Sequence, residues 1–291
     1  MIFTHRHGSW DFGPGERARV VGILNVTPDS FYDGGRYADA GRALDHALRM
    51  AAEGADAIDV GGLSTRPGTA QAPPVGADEE WRRLEPILAS LAGRLRVPIS
   101  VDTYRASVAR RALDAGAAMI NDVSGLTADP EMASAVAGEG AGLVLMHALG
   151  APDAMHAPRE YDDVGLEVRD FLAARMAAAV AAGVPVERIA LDPGIGFSKR
   201  AEQSVEALRA LPRLTALGRP LYIGVSRKSF LGQLTGRPVE ERLAASLGAT
   251  VAAVALGARI VRTHDVAATR DALAAAEAML HPEPRHEASR A

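Results

Sequence analysis

The chain has 291 residues, of which 48% are hydrophobic and 23% charged, so it can bury a large core and disorder is excluded over most of its length. It contains no cysteine, which excludes disulfides, thiolate nucleophiles and thiolate metal sites and indicates a reducing compartment. The formal net charge of −4 excludes a general attraction to nucleic acid, so an anionic ligand would need locally clustered basic residues.

The first predicted element is a short hairpin over residues 1–18, where a Gly/Pro turn lies between two extended runs. The N-terminal residues lack the charged-then-apolar pattern of a signal peptide, and no apolar run reaches the roughly 18 residues of a membrane span. We therefore expect a cytoplasmic protein with no membrane partner.

After the hairpin, short apolar runs alternate with longer amphipathic stretches, a pattern that predicts repeated strand–helix units over a parallel sheet. The predicted strands are VVGILN, ADAIDV, VPISVD, AAMIND, GLVLMH, RIALD, PLYIGVS and ARIVRTH. The predicted helices include residues 40–54, 77–93, 105–116 and 240–257, and each of these four ends in glycine, as helices commonly do.

Roughly eight strand–helix units in about 250 residues predict a (β/α)8 TIM barrel in a single domain over residues 19–280. The α/β alternative, a doubly wound sheet, usually needs fewer strands and gives no reason for polar residues behind every strand. The segment 281–291 is polar and contains proline, so we expect a disordered tail.

Each predicted strand ends in or is closely followed by polar residues, which are Asn25, Asp59, Asp102, Asn121, His147, Asp192, Ser226, Lys228, Arg262 and His264. Any one of them could cap a helix or begin a turn. Because the strands of such a barrel all end at one face, where the active site forms, the whole set predicts a site at that face.

The predicted site contains two kinds of side chain. The hydrogen-bond acceptors and amides suit a flat heterocycle rich in N–H donors, and they are Asp102, Asn121 and Asp192. The cationic side chains suit phosphate, and they are Arg66, Lys228, Arg262 and His264. Asn25 offers a neutral oxygen for Mg²⁺, which prefers oxygen ligands and is often shared with substrate phosphates.

Two long Gly/Pro-rich segments, NVTPDSFYDGGR and STRPGTAQAPPVG, follow the first two barrel strands. Such segments are typical of lids that close over a site, although either alone could be an ordinary surface loop. Closure would bring Asp29, Phe31, Asp33 and Arg36 to the site from the first segment. No HExxH, GxSxG or P-loop lysine motif is present, so zinc hydrolase, serine hydrolase and P-loop functions have no support.

Eight motifs occur in the order found in the dihydropteroate synthase family: GILNVTPDSFYDGG, DVGGLSTRPG, ISVDTY, INDVSG, LMH, LDPGIGF, GVSRKSFLG and RTHDV. The chain resembles this family of pterin-binding enzymes from about Val21 to the last helix. The resemblance implies a (β/α)8 barrel and a transferase that joins hydroxymethyl-dihydropterin pyrophosphate to para-aminobenzoate. The products would be 7,8-dihydropteroate and pyrophosphate, and Mg²⁺ would assist a dissociative substitution.

The resemblance also implies a role for each matching residue. The pterin would contact Asp102, Asn121, Met146, Asp192, Phe197, Gly224 and Lys228. The pyrophosphate would contact Asn25, Thr65, Arg66, Arg262 and His264, with Asn25 also a ligand of Mg²⁺. The para-aminobenzoate pocket would contain Phe31, Thr65, Pro67, Phe197, Lys228 and Ser229. The catalytic residues would be Asp33, Arg66, Asp102 and Lys228.

The chain departs from the family pattern at a few positions. Leu63 stands where the family commonly has Glu, Ala148 where it usually has Met, and Ser198 where it usually has Gly. Gln203 and Ser204 replace a usual His-Asn pair. Leu63 keeps open a non-catalytic pterin-binding paralogue, and a pterin-dependent methyltransferase is a weaker alternative because it needs no cluster of cationic side chains.

The resemblance further implies a homodimer, since family members are usually dimers packed through helices. The Ala-rich sequence LAASLGATVAAVALG is compatible with such packing, although ordinary packing against the barrel explains most of those alanines equally well. The expected ligands are therefore the two small-molecule substrates and Mg²⁺, with a second copy of the chain as partner and no nucleic acid.

Overall fold

The structure is a computed structural model that describes residues 1–13, 15–26, 35–63 and 75–280, without the side chains of residues 35–39. The predicted tail 281–291 lies outside the described residues. Among the helices that the structure describes, none has the length and apolar character needed to cross a membrane.

Within the described ranges, eight parallel strands close a barrel, which confirms the predicted TIM-barrel fold. They are β3 (Arg19–Asn25), β4 (Ala57–Gly61), β5 (Ile99–Asp102), β6 (Met119–Asp122), β7 (Gly142–Met146), β8 (Ile189–Asp192), β9 (Leu221–Gly224) and β10 (Ala258–Thr263). The first strand pairs with the last, so the sheet has no free edge. Each strand lies inside or overlaps the corresponding predicted apolar run.

Helices surround this barrel and cover its outer face. They are α1 (Gly35–Ala52), α2 (Ala77–Leu91), α3 (Ala106–Asp114), α4 (Met132–Ala137), α5 (Val164–Ala181), α6 (Ala201–Arg209), α7 (Leu211–Thr215), α8 (Ser229–Thr235), α9 (Leu243–Ala255) and α10 (Val266–Leu280). Helix α9 begins later than the sequence predicted, because Val239–Glu241 forms a separate 3-10 turn directly after Pro238.

The predicted N-terminal hairpin is present, as β1 (Ile2–His5) paired antiparallel with β2 (Gly8–Asp11). The turn that joins its strands is Arg6–His7, not the Gly/Pro stretch, which follows β2. That detail of the prediction was wrong because the register pairs His5 with Gly8 and leaves only two residues between the strands.

The hairpin closes the amino end of the barrel. Phe3 and Trp10 are buried in one apolar cluster with Val21 of β3, Tyr222 of β9 and Ile260 of β10. A second, larger cluster fills the layer between the strands and the helices. Apolar side chains thus fill the amino end of the barrel and the layer between its strands and helices. The polar side chains of the site lie at the other end, where the strands finish.

Candidate active site at the carboxyl ends of the strands

The carboxyl ends of the strands surround a cavity of about 800 Å³. Every described residue to which the family resemblance assigned a role lines this cavity, and these are Asn25, Asp102, Asn121, Met146, Asp192, Phe197, Gly224, Lys228, Ser229, Arg262 and His264. Six other predicted site residues lie outside the described ranges, and they are Asp29, Phe31, Asp33, Thr65, Arg66 and Pro67. Arg36 is described without its side chain. The described part of the prediction therefore converges on one place.

The strand register explains this convergence. Asp102 on β5 is level with Asn121 on β6, and Met146 on β7 is level with Asp192 on β8. Arg262 on β10 is likewise paired with its neighbour Gly224 on β9. Paired residues of neighbouring parallel strands point to the same side of the sheet, so these side chains meet inside the barrel mouth.

A buried network of charges forms the floor of the site. The Arg262 guanidinium donates through Nε to Asp59 Oδ2 at 2.6 Å and through Nη2 to Asp102 Oδ2 at 3.1 Å. Asn121 Nδ2 donates to the same Asp59 oxygen at 3.1 Å. One arginine is thereby fixed between two carboxylates, with its charge at the level of the cavity.

Burial raises the pKa of Asp102 to about 7, while Arg262 lowers it and Asp59 raises it further. The two carboxylates in turn raise the pKa of Arg262 above its ordinary value despite burial. The arginine therefore stays charged, whereas burial favours the protonated form of Asp102. A carboxyl group that titrates near neutral pH can accept or donate a hydrogen bond to a bound ring.

The turn after β8 forms a second wall. Asp192 Oδ1 accepts from the backbone N–H of Gly194 at 2.7 Å. Burial raises the Asp192 pKa, and the Lys228 ammonium opposes that shift most strongly. Lys228 Nζ donates to the backbone carbonyl of Ile195 and lies 4.4 Å from the centre of the Phe197 ring. Burial lowers the pKa of Lys228 to about 8.

Glycine is required at one position of this turn. Gly194 has φ +64°, and a Cβ atom there would lie 1.9 Å from the carbonyl oxygen of His147. No side chain fits in that space, so only glycine lets the chain turn this tightly against the end of β7. The turn thus keeps Asp192 and Phe197 close together on one side of the cavity.

The third wall carries His264. Its Nδ1 lies 3.0 Å from Ser226 Oγ, and that hydroxyl also accepts from the His264 backbone N–H at 3.2 Å. Next to it, Arg227 pairs with Asp265 through two contacts of 2.6 and 3.0 Å. Arg227 has φ +57°, and its backbone N–H donates to Ser246 Oγ at 2.8 Å. The ion pair fixes the chain on both sides of the cavity wall.

A small space near Asn25 has the chemistry of a magnesium site. A Cβ atom at Gly61 would lie 3.7 Å from Asn25 Oδ1 and 3.8 Å from Asp102 Oδ2, so the two oxygens face the same space. Oxygen is the donor atom that Mg²⁺ prefers, and of these two oxygens Asp102 Oδ2 also accepts from Arg262 Nη2 at 3.1 Å. The described residues hold no cluster of three or more His, Asp or Glu that could bind a metal. These donors fit an ion that takes its remaining ligands from water and a substrate phosphate.

Two strand-end residues expected at the cavity do not line it. Asp59 is fully buried below it, where it holds Arg262. The His147 side chain is 1% exposed and points behind the β8 turn, where it packs edge-on against Phe171 at 4.8 Å between ring centres. The polar pattern located the barrel end correctly, but it could not show which side chains turn away from the cavity.

Sequence reasoning also missed residues that shape the site. His156, which the motifs left without a role, lines the cavity and stacks on Phe197 with 4.8 Å between ring centres. Lys199 lies behind the β8 turn with its Nζ 2.9 Å from His147 Nδ1. Neither residue ends a strand, and only their positions in the β7 and β8 loops could have drawn attention to them.

Comparisons with known proteins agree with this geometry. The family model described as "Pterin binding enzyme" matches residues 21–264. A dihydropteroate synthase of Synechocystis sp. is 46% identical over 269 residues, 92% of this chain and 92% of that protein.

Two solved structures are also similar. The dihydropteroate synthase of Xanthomonas albilineans with 4-aminobenzoic acid is 47% identical, with a TM-score of 0.84 over 90% of this chain and 93% of that chain. That of Burkholderia cenocepacia complexed with 7,8-dihydropteroate is 45% identical, with a TM-score of 0.84 over 96% of each chain.

Proposed function

The chain belongs to the pterin-binding enzyme family and within it to the dihydropteroate synthases, and we propose that it condenses hydroxymethyl-dihydropterin pyrophosphate with para-aminobenzoate. The products are 7,8-dihydropteroate and pyrophosphate. The observation that carries the proposal is the cavity at the carboxyl ends of the strands, in which buried acceptors lie opposite cationic side chains. Such a cavity suits a pterin ring that carries an anionic leaving group.

In the proposed complex the pterin ring lies among Asp102, Asn121 and Asp192. Pterin N–H groups can donate in pairs to a carboxylate, as a guanidinium does. Asp192 is 6% exposed and Asn121 is 3% exposed, so both hydrogen bonds would form away from water. A buried acceptor left without its donor is costly, and this favours rings with the matching N–H groups.

The pyrophosphate lies toward Arg262 and His264 in this proposal, with Asn25 as the protein ligand of Mg²⁺. When bound, the ion neutralises charge on the leaving pyrophosphate. Arg262 contributes a charge that its two carboxylate partners keep in place. The fixed position of the guanidinium means that little reorganisation is needed as negative charge develops on the leaving group.

The proposed reaction is a dissociative substitution at the pterin methylene carbon. The carbon–oxygen bond breaks, and its electron pair leaves with the pyrophosphate. The amino nitrogen of para-aminobenzoate then forms the new carbon–nitrogen bond and loses a proton. Asp102 stabilises the positive charge on the pterin. Lys228, whose ammonium group lies over the Phe197 ring, holds the pterin ring in place. No covalent bond to the protein forms.

The described part of the para-aminobenzoate pocket consists of Phe197, Lys228 and Ser229. These three residues line the same cavity. We propose that the pocket is completed by Phe31, Thr65 and Pro67, and that Asp33 and Arg66 assist catalysis from the same two segments. Arg66→Ala should then spare binding of the pterin pyrophosphate but reduce turnover, and unchanged turnover would exclude the second segment from the closed site.

The alternatives predict different behaviour. A methyltransferase would not need the cationic group of Lys228, Arg262 and His264, which all line the cavity. A non-catalytic paralogue would bind a pterin without releasing pyrophosphate. The sequence identity to dihydropteroate synthases over nine tenths of the chain supports the synthase.

The deciding experiment measures pyrophosphate release from the pterin substrate, with and without Mg²⁺ and para-aminobenzoate. It compares the unsubstituted chain with Leu63→Glu, and it uses Asp192→Asn as a variant whose pterin site is impaired. We expect Mg²⁺-dependent release with formation of dihydropteroate from the unsubstituted chain. If only Leu63→Glu released pyrophosphate, the paralogue would replace the synthase as the function of this chain.

We also propose a homodimer through helix α9. Ser246, Thr250 and Ala253 are its buried residues, whereas its exposed positions carry no polar side chain, and these are Leu243, Ala244, Gly248, Ala252 and Ala255. A helix whose polar residues face inward and whose apolar residues face outward is suited to a second copy of the same surface. Sedimentation analysis should give a dimer for the unsubstituted chain and a monomer for Leu243→Arg. A monomeric unsubstituted chain would refute the proposal.

A further inference from the structure

The turn that joins β8 to α6 forms one wall of the cavity, and its position depends on more than its own sequence. Asp192 begins the turn, Phe197 ends it, and the Ile195 carbonyl accepts from Lys228. A shift of this turn would move the carboxylate that is proposed to bind the pterin. Contacts on the side of the turn that faces away from the cavity therefore influence the proposed pterin site.

Lys199 holds the turn from behind. Its side chain is 6% exposed and does not line the cavity. Its Nζ lies 3.1 Å from the carbonyl oxygen of Gly194, 3.1 Å from that of Phe197 and 2.9 Å from His147 Nδ1. One buried group thus ties the middle and the end of the turn to His147, the residue that follows β7.

These contacts match the chemistry of an ammonium group. A lysine ammonium has three N–H donors and no acceptor, and three acceptors surround Lys199. His147 Nδ1 must then accept, which places the proton of the neutral imidazole on Nε2. Burial and the lysine lower the pKa of His147 to about 3, so the ring is neutral at physiological pH.

The choice of lysine is informative in this chain. Only two of its 32 basic residues other than histidine are lysines, and these are Lys199 and Lys228. Lys199 is buried and Lys228 is half-buried, and both donate to carbonyl groups of the same turn. A compact ammonium fits a small pocket of converging acceptors, whereas the planar fork of arginine does not.

Lys199 also interacts electrostatically with Asp192 of the proposed pterin site. Its positive charge lowers the pKa of Asp192, in the same direction as Lys228. The cost of burial lowers the pKa of Lys199 itself to about 7, although Asp192 opposes that shift. The ammonium and the carboxylate therefore favour each other's charged form across the turn.

We propose that Lys199 is a positioning residue for pterin binding, which fixes the Asp192–Phe197 turn from behind and keeps Asp192 ready to accept hydrogen bonds from the ring. This role rests on the proposed synthase function. Lys199 does not touch the substrate, so its loss should weaken binding of the pterin and change the chemical step less.

The test is Lys199→Met, which keeps an unbranched side chain only one atom shorter but removes the charge and all three donors. We expect the KM for the pterin substrate to rise at least about tenfold, equivalent to about 1.4 kcal/mol, while kcat changes by less than about threefold. Binding of 6-hydroxymethylpterin alone should weaken to a similar degree. This binding arm needs no turnover, so it separates the inference from the synthase activity itself.

Arg219→Met is the matched control. Arg219 is also buried, and it donates to three backbone carbonyls, those of Ile2, Glu187 and Ile189, at the opposite end of the barrel. The Arg219→Met variant should have a lower melting temperature, as Lys199→Met should, but an unchanged KM for the pterin substrate. If Lys199→Met does not fold, Lys199→Gln replaces it, with an expected rise in KM of at least about threefold.

The outcomes are distinct. A pterin KM within about twofold of the unsubstituted value in the folded lysine variant would overturn the inference. An equal rise in KM for Arg219→Met would overturn it too, since the effect would then be general destabilisation. An unsubstituted chain that binds 6-hydroxymethylpterin but releases no pyrophosphate would refute the synthase function and leave the binding test of Lys199 intact.

Discussion

Asp59 should be one of the most important residues for stability although it is not part of the cavity wall. It is fully buried, and its Oδ2 accepts from Arg262 Nε at 2.6 Å and from Asn121 Nδ2 at 3.1 Å. Asp59→Ala removes both acceptor contacts and leaves a space in the barrel interior. Asp59→Asn keeps a side-chain oxygen but removes the charge.

The expected cost follows from these contacts. Removing one partner of a buried ion pair costs about 3–5 kcal/mol when the other charge is left alone. Arg262 keeps Asp102 as a partner at 3.1 Å, so Asp59→Ala should lie at the lower end, at about 3 kcal/mol. Asp59→Asn loses a charge-assisted hydrogen bond and should cost about 1.5–3 kcal/mol.

Thermal unfolding at pH 7 measures this difference. Each kcal/mol shifts the melting temperature of a chain of this size by about 2–4 °C, so Asp59→Ala should melt about 6–12 °C lower. Asp170→Ala is the control, because Asp170 is exposed and its ion pair with the neighbouring Arg169 is worth less than about 1 kcal/mol. If Asp59→Ala melted within about 2 °C of the unsubstituted chain, the contacts of Asp59 with Arg262 and Asn121 would not stabilise the fold as argued.

Three further predictions concern other parts of the molecule. Asp192→Asn should weaken binding of 6-hydroxymethylpterin at least about tenfold in calorimetry, since a charged acceptor becomes neutral, and unchanged affinity would contradict the pocket assignment. Phe3→Ala should cost about 3–5 kcal/mol in urea unfolding because Phe3 is fully buried, and a loss below about 1 kcal/mol would mean that the hairpin is not part of the core. Burial lowers the pKa of His5 to about 4. Between pH 6.5 and 4 the unfolded chain therefore binds a proton that the folded chain refuses, so stability is lost as the pH falls through this range. His5→Phe should escape this loss, and an equal fall in melting temperature for both proteins between pH 7 and 5 would refute it.

The strands and the position of the site could be predicted because each depends on a local pattern. A run such as VVGILN is apolar on both faces, as a strand covered by helices outside and packed inside must be. The polar residue at its end, Asn25, lies at the cavity because every barrel strand points the same way. Neither inference required knowledge of contacts distant in sequence.

The partners of each polar residue could not be predicted in this way. Arg262 pairs with Asp59 across 203 residues of sequence and with Asp102 across 160. His147 and Lys199 form a buried pair 52 residues apart. Such pairs depend on strand register and on the path of loops, and each of these side chains would look equally suited to the cavity in the sequence alone.

Ser198 shows how one departure from the family pattern is accommodated. It has φ +53°, the left-handed region that favours the glycine commonly found there in the family. Its hydroxyl group donates to or accepts from backbone groups of Leu149 at 2.8 and 3.0 Å and of Met155 at 3.1 Å. These contacts offset the backbone strain and join the β7 loop to the turn after β8.

The same reasoning separates the departures by their consequence. Gln203 accepts from the Arg200 backbone N–H at 2.7 Å and donates to the Arg159 carbonyl at 3.1 Å, and Ser204 donates to the Arg200 carbonyl at 2.9 Å. Their polar groups are satisfied away from the cavity, so they should not alter catalysis. Leu63 differs, because it directly precedes the segment that carries Arg66 and replaces a carboxylate with an apolar side chain. Among the departures from the family pattern, Leu63 is therefore the one whose substitution should change turnover.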